Sequence, residues 1–150
     1  MNDHNKMKLV LNIDDTTDDF FSDTRLLGII SGTKNYRFCW QLNNYLGYSF
    51  RLNRDIEIQL RKKGRSYFFP VYQHTVQNSF LQHYIYHNCF DGEYLLPEFR
   101  HMDFLWLMKG DCVADGDCHE LVHAVKTITG VQLVTELTNE KIRNKGHLIF

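Results

Sequence analysis

The apolar residues of this chain change their spacing along its length, and that change limits the folds open to it. Between Tyr36 and Leu46 they fall at Phe38, Leu42, Tyr45 and Leu46, a helical step with one broad apolar face. Gly47 is placed to stop that helix. From Ile56 the period drops to that of a strand. Ile56, Ile58 and Leu60 alternate with Glu57, Gln59 and Arg61, which gives one wet face. Residues 103–108, Asp-Phe-Leu-Trp-Leu-Met, form a very apolar strand closed by Lys109-Gly110-Asp111. Both periods in one chain predict an α+β fold.

The remaining segments fill in this outline. Residues 7–13 and 25–31 read as strands, the second of them buried. Asp14, Asp15, Asp18 and Asp19 between them read as a solvated turn, without the spacing or glycine of a calcium loop. Thr33 is a candidate cap for the first helix. Residues 55–88 read as an antiparallel meander that turns at Lys62-Lys63-Gly64-Arg65 and at Asn78-Ser79. Within it Pro70 marks an edge or bulge, because proline has no N–H for a ladder. The stretch from Phe80 to Phe90 is β-prone, and Asp91-Gly92 is a turn signal. A second helix is expected from about Asp117 to Thr129, with Leu121, Val122, Val125 and Ile128 on one face and Gly130 as cap. Val131, Leu133 and Val134 suggest another strand, and the apolar end Leu148-Ile149-Phe150 suggests a docked C-terminus. The expected architecture is an antiparallel β-sheet meander with two main helices packed on one face. Residues 1–150 are read as a single α+β domain.

Apolar residues make up 43% of the chain, enough for a core that needs no metal or disulfide. The 17 basic and 18 acidic residues leave a net charge of -1, so no global field draws in a polyanion and nucleic acid is not the expected partner. The polar start, Met1-Asn2-Asp3-His4-Asn5-Lys6, lacks the form of a signal peptide, and no apolar run reaches the length of a membrane span. A cytoplasmic location is therefore expected, with all four cysteines kept as thiols. Cys39 and Cys89 lie in apolar stretches and read as core residues, while Cys112 and Cys118 flank a short loop.

Residues 119–123 read His-Glu-Leu-Val-His. On a helix this places His119 and His123 on one face at a spacing that holds Zn²⁺, with Glu120 as general base on a metal-bound water. Cys112, Cys118, Glu136 and Glu140 are candidate further ligands. Against the zinc reading, both histidines fall on the polar side of the expected helix, and Lys126 follows one turn later. His83 and His87 also stand four apart, but in a strand that separates them by roughly 13 Å, too far to share a metal. They read as part of a polar sheet face. Arg61, Lys62, Lys63 and Arg65 precede Tyr67, Phe68 and Phe69, a pattern open to RNA contact or to a solvated turn before core aromatics. In the segment from Leu96 to Phe104, Pro97 and Glu98 interrupt an apolar run and Asp103 opens the next strand. That segment reads either as a partner-binding rim carrying Glu98 and Asp103, or as a turn whose two carboxylates accept backbone hydrogen bonds. No phosphate-binding glycine loop and no nucleophile elbow is present in the sequence.

Several segments together resemble the IPExxDY family of small Bacteroidetes proteins. They are Leu26-Leu27-Gly28-Ile29-Ile30-Ser31, Asn35-Tyr36-Arg37-Phe38-Cys39-Trp40-Gln41-Leu42-Asn43, Leu96-Pro97-Glu98 with Asp103-Phe104, Gly130-Val131-Gln132, and Lys145-Gly146-His147-Leu148-Ile149-Phe150. Leu96 and Phe104 stand where the family name has Ile and Tyr, and four residues separate Glu98 from Asp103 where it has two. The resemblance implies no assigned activity.

The expectation from the sequence is a non-enzymatic cytoplasmic adaptor that binds another protein, with no cofactor. Its expected contacts are Pro97, Glu98 and Asp103, together with Arg61, Lys62 and Lys63 of the basic hairpin. The alternatives are a zinc-dependent hydrolase using His119, Glu120 and His123, and an accessory RNA-binding domain.

Overall fold

The computed structural model describes residues 16–33 and 36–150. The strand expected at 7–13 lies outside these, as do Asp14 and Asp15. Asp18 and Asp19 fall in a helical turn over residues 16–20.

In chain order the elements are β1 (Arg25–Ser31), α1 (Tyr36–Leu46), β2 (Arg51–Leu52), β3 (Ile58–Lys62), β4 (Arg65–Phe69), β5 (Val71–Thr75) and β6 (Gln82–His87). They continue with β7 (Cys89–Phe90), β8 (Glu93–Tyr94), β9 (Phe104–Lys109), α2 (Asp115–Lys126) and β10 (Val131–Glu136). Short 3-10 turns occupy Pro97–Phe99, Asn139–Lys141 and Lys145–Leu148. Six strands form one antiparallel sheet in the order β10-β1-β9-β6-β5-β2, while β3-β4 and β7-β8 are separate hairpins. The α+β architecture expected from the sequence is the one observed.

Two apolar clusters lie on opposite faces of this sheet. On the first, Phe38, Cys39 and Leu42 of α1 and Cys118 and Val125 of α2 pack with Leu27, Ile29, Ile85, Phe104, Trp106 and Met108. On the second, the β3-β4 hairpin, the 95–102 segment and the tail cover Leu26, Tyr84, Tyr86, Leu105 and Leu107. Strand β9 therefore buries both of its faces, which is why its sequence shows no alternation.

The stretch from Tyr67 to Tyr72 is not one strand. Pro70 ends β4 and the chain restarts as β5, which pairs with β6 rather than with β3. Helix α2 begins two residues earlier than its periodicity predicts and ends at Lys126. Thr127 donates from its hydroxyl to Ala124 O, and Ile128 packs into the core from beyond the helix. Gly110 follows β9 at φ 104°, and a Cβ there would stand 2.0 Å from the Phe80 carbonyl oxygen, so only glycine fits that turn. The tail is docked: Tyr86 Oη donates to Leu148 O at 2.8 Å, and Leu148 is fully buried. No helix among the described residues is long and apolar enough to cross a membrane.

Three of the expected side-chain placements are overturned. Tyr45, expected on the apolar face of α1 with Phe38 and Leu42, is 64% exposed in the last turn of that helix. His83 and His87 do not form a polar sheet face. They are buried on the helix side of the sheet, because Ile85 lies between them in the strand alternation and points into the helix-side cluster. Cys89 is exposed on the β7-β8 hairpin, and the second buried cysteine is Cys118.

Candidate functional site

The 97–104 segment places its carboxylates inward, toward the protein's own backbone. Glu98 accepts from Arg143 N, from Asn144 N at 2.7 Å and from Asn144 Nδ2 at 3.0 Å. Burial opposes its charge, yet these donors hold the Glu98 carboxyl below its ordinary value. Pro97 opens the 3-10 turn that aims it. Glu98 thus fastens the C-terminal tail. Glu98→Ala is expected to cost about 2 kcal/mol, the range for hydrogen bonds to a charged group, and to open residues 141–150 to protease first. A melting curve with a timed digest checks this, and an unchanged cleavage pattern would remove the fastening role.

The basic hairpin is partly neutralised. Lys62 lies 3.2 Å from Glu93, and Arg65 pairs with Asp91, both acids belonging to the β7-β8 hairpin. Arg65 also covers the Tyr67 ring. Arg61 and Lys63 are exposed, and of the three aromatics that follow only Phe68 faces solvent. The hairpin therefore offers half of the positive charge its sequence suggests, and one ring rather than three for stacking.

On α2, His119, Glu120 and His123 are all exposed. Their proposed companions are engaged elsewhere. Cys118 is buried, Glu136 binds Arg25 at 2.9 Å, and Glu140 accepts from Thr138. Among the described residues no three His, Cys, Asp or Glu side chains come together in a way that could hold a metal ion. Beside this helix a groove of about 420 Å³ runs past Tyr48, His83, Cys112 and Glu120. His83 Nδ1 accepts the Trp106 indole N–H at 2.9 Å, so the proton of the neutral ring sits on Nε2 and neither nitrogen is free to act as a base. The nearby thiol is no better as a nucleophile: a hydrogen bond to Asp23 and the charge of that carboxylate push the Cys112 pKa up.

Among the described residues, the two buried side-chain polar atoms that make no hydrogen bond belong to residues near the turn where β1 leads toward α1. Ser31 N donates to Asp103 Oδ2 at 2.8 Å, and Thr33 N donates to Ser31 Oγ at 3.1 Å. Gly32 N donates to Gly130 O at 2.9 Å, which ties this turn to the end of the α2 connection. Gly130 sits at φ 93°, and a Cβ there would stand 2.6 Å from Thr33 Oγ1. A cavity of about 280 Å³ opens on one side of Gly32 and Thr33, lined also by Ser31, His87, Cys89 and Asp103. A depression of about 440 Å³ opens on the other, lined also by Tyr36, Arg37, Gln41 and Thr129.

Each is lined by a buried residue with a side-chain atom that makes no hydrogen bond and is closed to solvent: His87 Nε2 beside the first and Gln41 Oε1 beside the second. His87 is 8% exposed and Gln41 7%. The Gln41 amide is correctly oriented, since its Nε2 donates to Thr129 O at 3.1 Å and only a donor fits there. His87 stacks on Tyr72 and meets the edge of Phe104, and burial pushes its pKa down to about 4. Of the residues expected to bind, Asp103 is the one that lines this pair of cavities. His87 was noticed with His83 but read as part of a polar sheet face, and Gln41 was missed because a glutamine within a helix carries no motif.

No protein-family model, curated protein or solved structure matches this chain.

Proposed function

We propose that this chain is a protein-binding domain, an adaptor rather than a catalyst, and that it binds through the outward face of α1. The carrying observation is the exposure of three aromatic rings on one eleven-residue helix. Tyr36 is 71% exposed, Trp40 52% and Tyr45 64%, and the Trp40 and Tyr45 rings meet edge to face at 6.1 Å. Aromatic residues of this kind are the usual anchors of protein interfaces, where a few of them supply most of the affinity. The helix also carries one charge, Arg37, and no acid. The complementary partner is a protein segment that sets carboxylates beside apolar side chains. This reading keeps the binding role expected from the sequence. It moves the contact surface to α1, since Glu98 is spent on the tail and Lys62 and Arg65 on the neighbouring hairpin. The IPExxDY resemblance fits the reading without adding an activity to it.

A photo-crosslinking residue at position 40 tests it, with the same residue at position 80 as reference, because Phe80 is 84% exposed at a different place in the fold. The expected result is one discrete protein adduct specific to position 40, weakened by rising salt. With that partner identified, Tyr36→Ala or Trp40→Ala is expected to cost about 2 kcal/mol of binding, roughly thirtyfold in Kd. The same mixture of adducts from both positions would sink the proposal.

A further inference from the structure

We propose that the groove between α2 and the helix-side face of β6 and β9 binds a small amphipathic amine, a molecule with an ammonium at one end, an apolar body and a hydrogen-bond acceptor at the other end. The groove shares none of Tyr36, Trp40 and Tyr45, and neither proposal rests on the other.

This is a single cavity of about 420 Å³ whose floor and mouth differ in chemistry. His83 belongs to the floor and is only 5% exposed. Its Nδ1 is taken by the Trp106 N–H, which leaves Nε2 as a donor. That N–H has no hydrogen-bond partner among the described residues. It is also not sealed off. The buried side-chain nitrogens and oxygens that are both unbonded and closed to solvent are Gln41 Oε1 and His87 Nε2, and His83 Nε2 is not one of them. The cavity that His83 lines is this groove. Leu81, Met108, Val113 and Leu121 supply apolar walls. Asp117 and Glu120 stand at the mouth, exposed and three residues apart on α2, where such a spacing makes neighbours. Neither carboxylate has a hydrogen bond or a cation partner among the described residues.

These groups select a ligand by their order. A recessed N–H calls for an acceptor, and two free carboxylates call for a cation. A lysine or arginine side chain inserted from a partner would bring its own donors against the His83 N–H. A carboxylic acid or a phosphate would meet Asp117 and Glu120 on entry. A plain hydrocarbon would bury the N–H without a partner, a cost that an acceptor avoids. Burial holds the His83 pKa at about 4, so at neutral pH the ring carries one proton and presents it from Nε2. The Trp106 bond fixes the ring, so that donor is aimed before a ligand arrives. The volume suits one ring or a short chain.

The test is a titration of the full chain, labelled with ¹⁵N in its histidine rings, with tyramine, 4-methoxyphenethylamine and 6-aminohexanamide at neutral pH. Analogues lacking one end accompany them. Phenethylamine and hexylamine lack the acceptor, while 4-ethylphenol, 4-ethylanisole and hexanamide lack the ammonium. The expected result is a saturable shift of the His83 Nε2–H resonance by at least one of the three amines, weakened by rising salt. Loss of the acceptor should weaken that binding by about tenfold, as an unmade hydrogen bond to a buried donor does. Loss of the ammonium, or the double variant Asp117→Asn with Glu120→Gln, should each weaken it by about fivefold. Both acids are exposed, so the double variant keeps the fold. No saturable shift at His83 from any of the three amines would overturn the proposal. So would binding that is undiminished when either end is removed, or undiminished in the double variant.

Discussion

Acidification from about pH 7.5 to about pH 4.5 is expected to remove about 5 kcal/mol of folding stability through His83 and His87 alone. Burial pushes the pKa of each ring down to about 4, and the neighbouring His74 adds to the effect at His83. The geometry gives the reason. His83 is 5% exposed among Tyr48, Phe50 and Trp106, and its Nδ1 lone pair receives the Trp106 N–H. A proton on Nδ1 would set two donors against each other. His87 lies between the Tyr72 and Phe104 rings with no carboxylate bonded to it. In the unfolded chain both histidines take up a proton near pH 6.5. Below that pH the unfolded state therefore binds more protons than the native state, and stability falls as pH falls. The contribution is complete above about pH 6.5, declines through the interval, and levels off below about pH 4, where the native rings also protonate. Urea midpoints measured across this range check the slope. His83→Gln retains an oxygen for the Trp106 N–H, and His87→Gln retains a polar group at its site. Each is expected to flatten the dependence of this pair by about half, and the double variant to leave the contribution of His74, whose pKa burial also lowers, and that of the carboxylates at the acid end. A double variant as acid-sensitive as the parent would show that the two rings are not the cause.

The burial of those histidines also shows where sequence reasoning stops. In β6 the residues alternate between Gln82, Tyr84 and Tyr86 on one side and His83, Ile85 and His87 on the other. That pattern reads as one apolar and one polar face only if one side of the sheet is open. Both sides are covered, by the helices on one and by the β3-β4 hairpin and tail on the other. Coverage is a property of the whole chain and leaves no mark within six residues. Helix α1 was legible to the residue, because the period and Gly47 both act locally. Strands β1 and β9 were legible because burial on two faces gives unbroken apolar runs. The split at Pro70 was legible as a break, but not as a change of partner, since pairing depends on distant strands. At the site, Asp103 stood out as a charge at the head of an apolar strand. Gln41 did not, and His87 stood out only as half of a histidine pair, because what distinguishes both is a bond not made, and that is visible only in three dimensions.

Asn88→Ala is expected to cost about 4 kcal/mol, more than any surface change in this chain, because one side chain stands in for missing secondary structure. Residues 95–102 run under the sheet with a single 3-10 turn between them, and Leu95, Leu96, Phe99 and Met102 are buried. Backbone groups that enter the core without a ladder still need partners. Asn88 supplies them. Its Nδ2 donates to Phe99 O at 2.9 Å and to Met102 O at 3.0 Å, and its Oδ1 accepts from Leu96 N at 2.8 Å. Its own backbone donates to Asp103 O and accepts from Leu95 N, so both ends of the segment close on one residue. Truncation strands the Met102 carbonyl and the Leu96 N–H in a dry interior, at about 1–3 kcal/mol for each group not rescued by water, and leaves the Phe99 carbonyl with the Met102 N–H alone. The loss extends further, because this segment carries Glu98, which fastens the tail, and leads into Asp103, which fixes the Ser31 turn. Asn88→Asp separates hydrogen bonding from shape. It fills the same volume and still accepts from Leu96 N, but it replaces two donors with a carboxylate oxygen facing two carbonyls. It is therefore expected to be at least as damaging as alanine at neutral pH, in denaturation midpoint and in protection of residues 95–102 from hydrogen exchange. Wild-type stability in Asn88→Asp would mean that the segment is held by its apolar contacts, and that the amide is incidental.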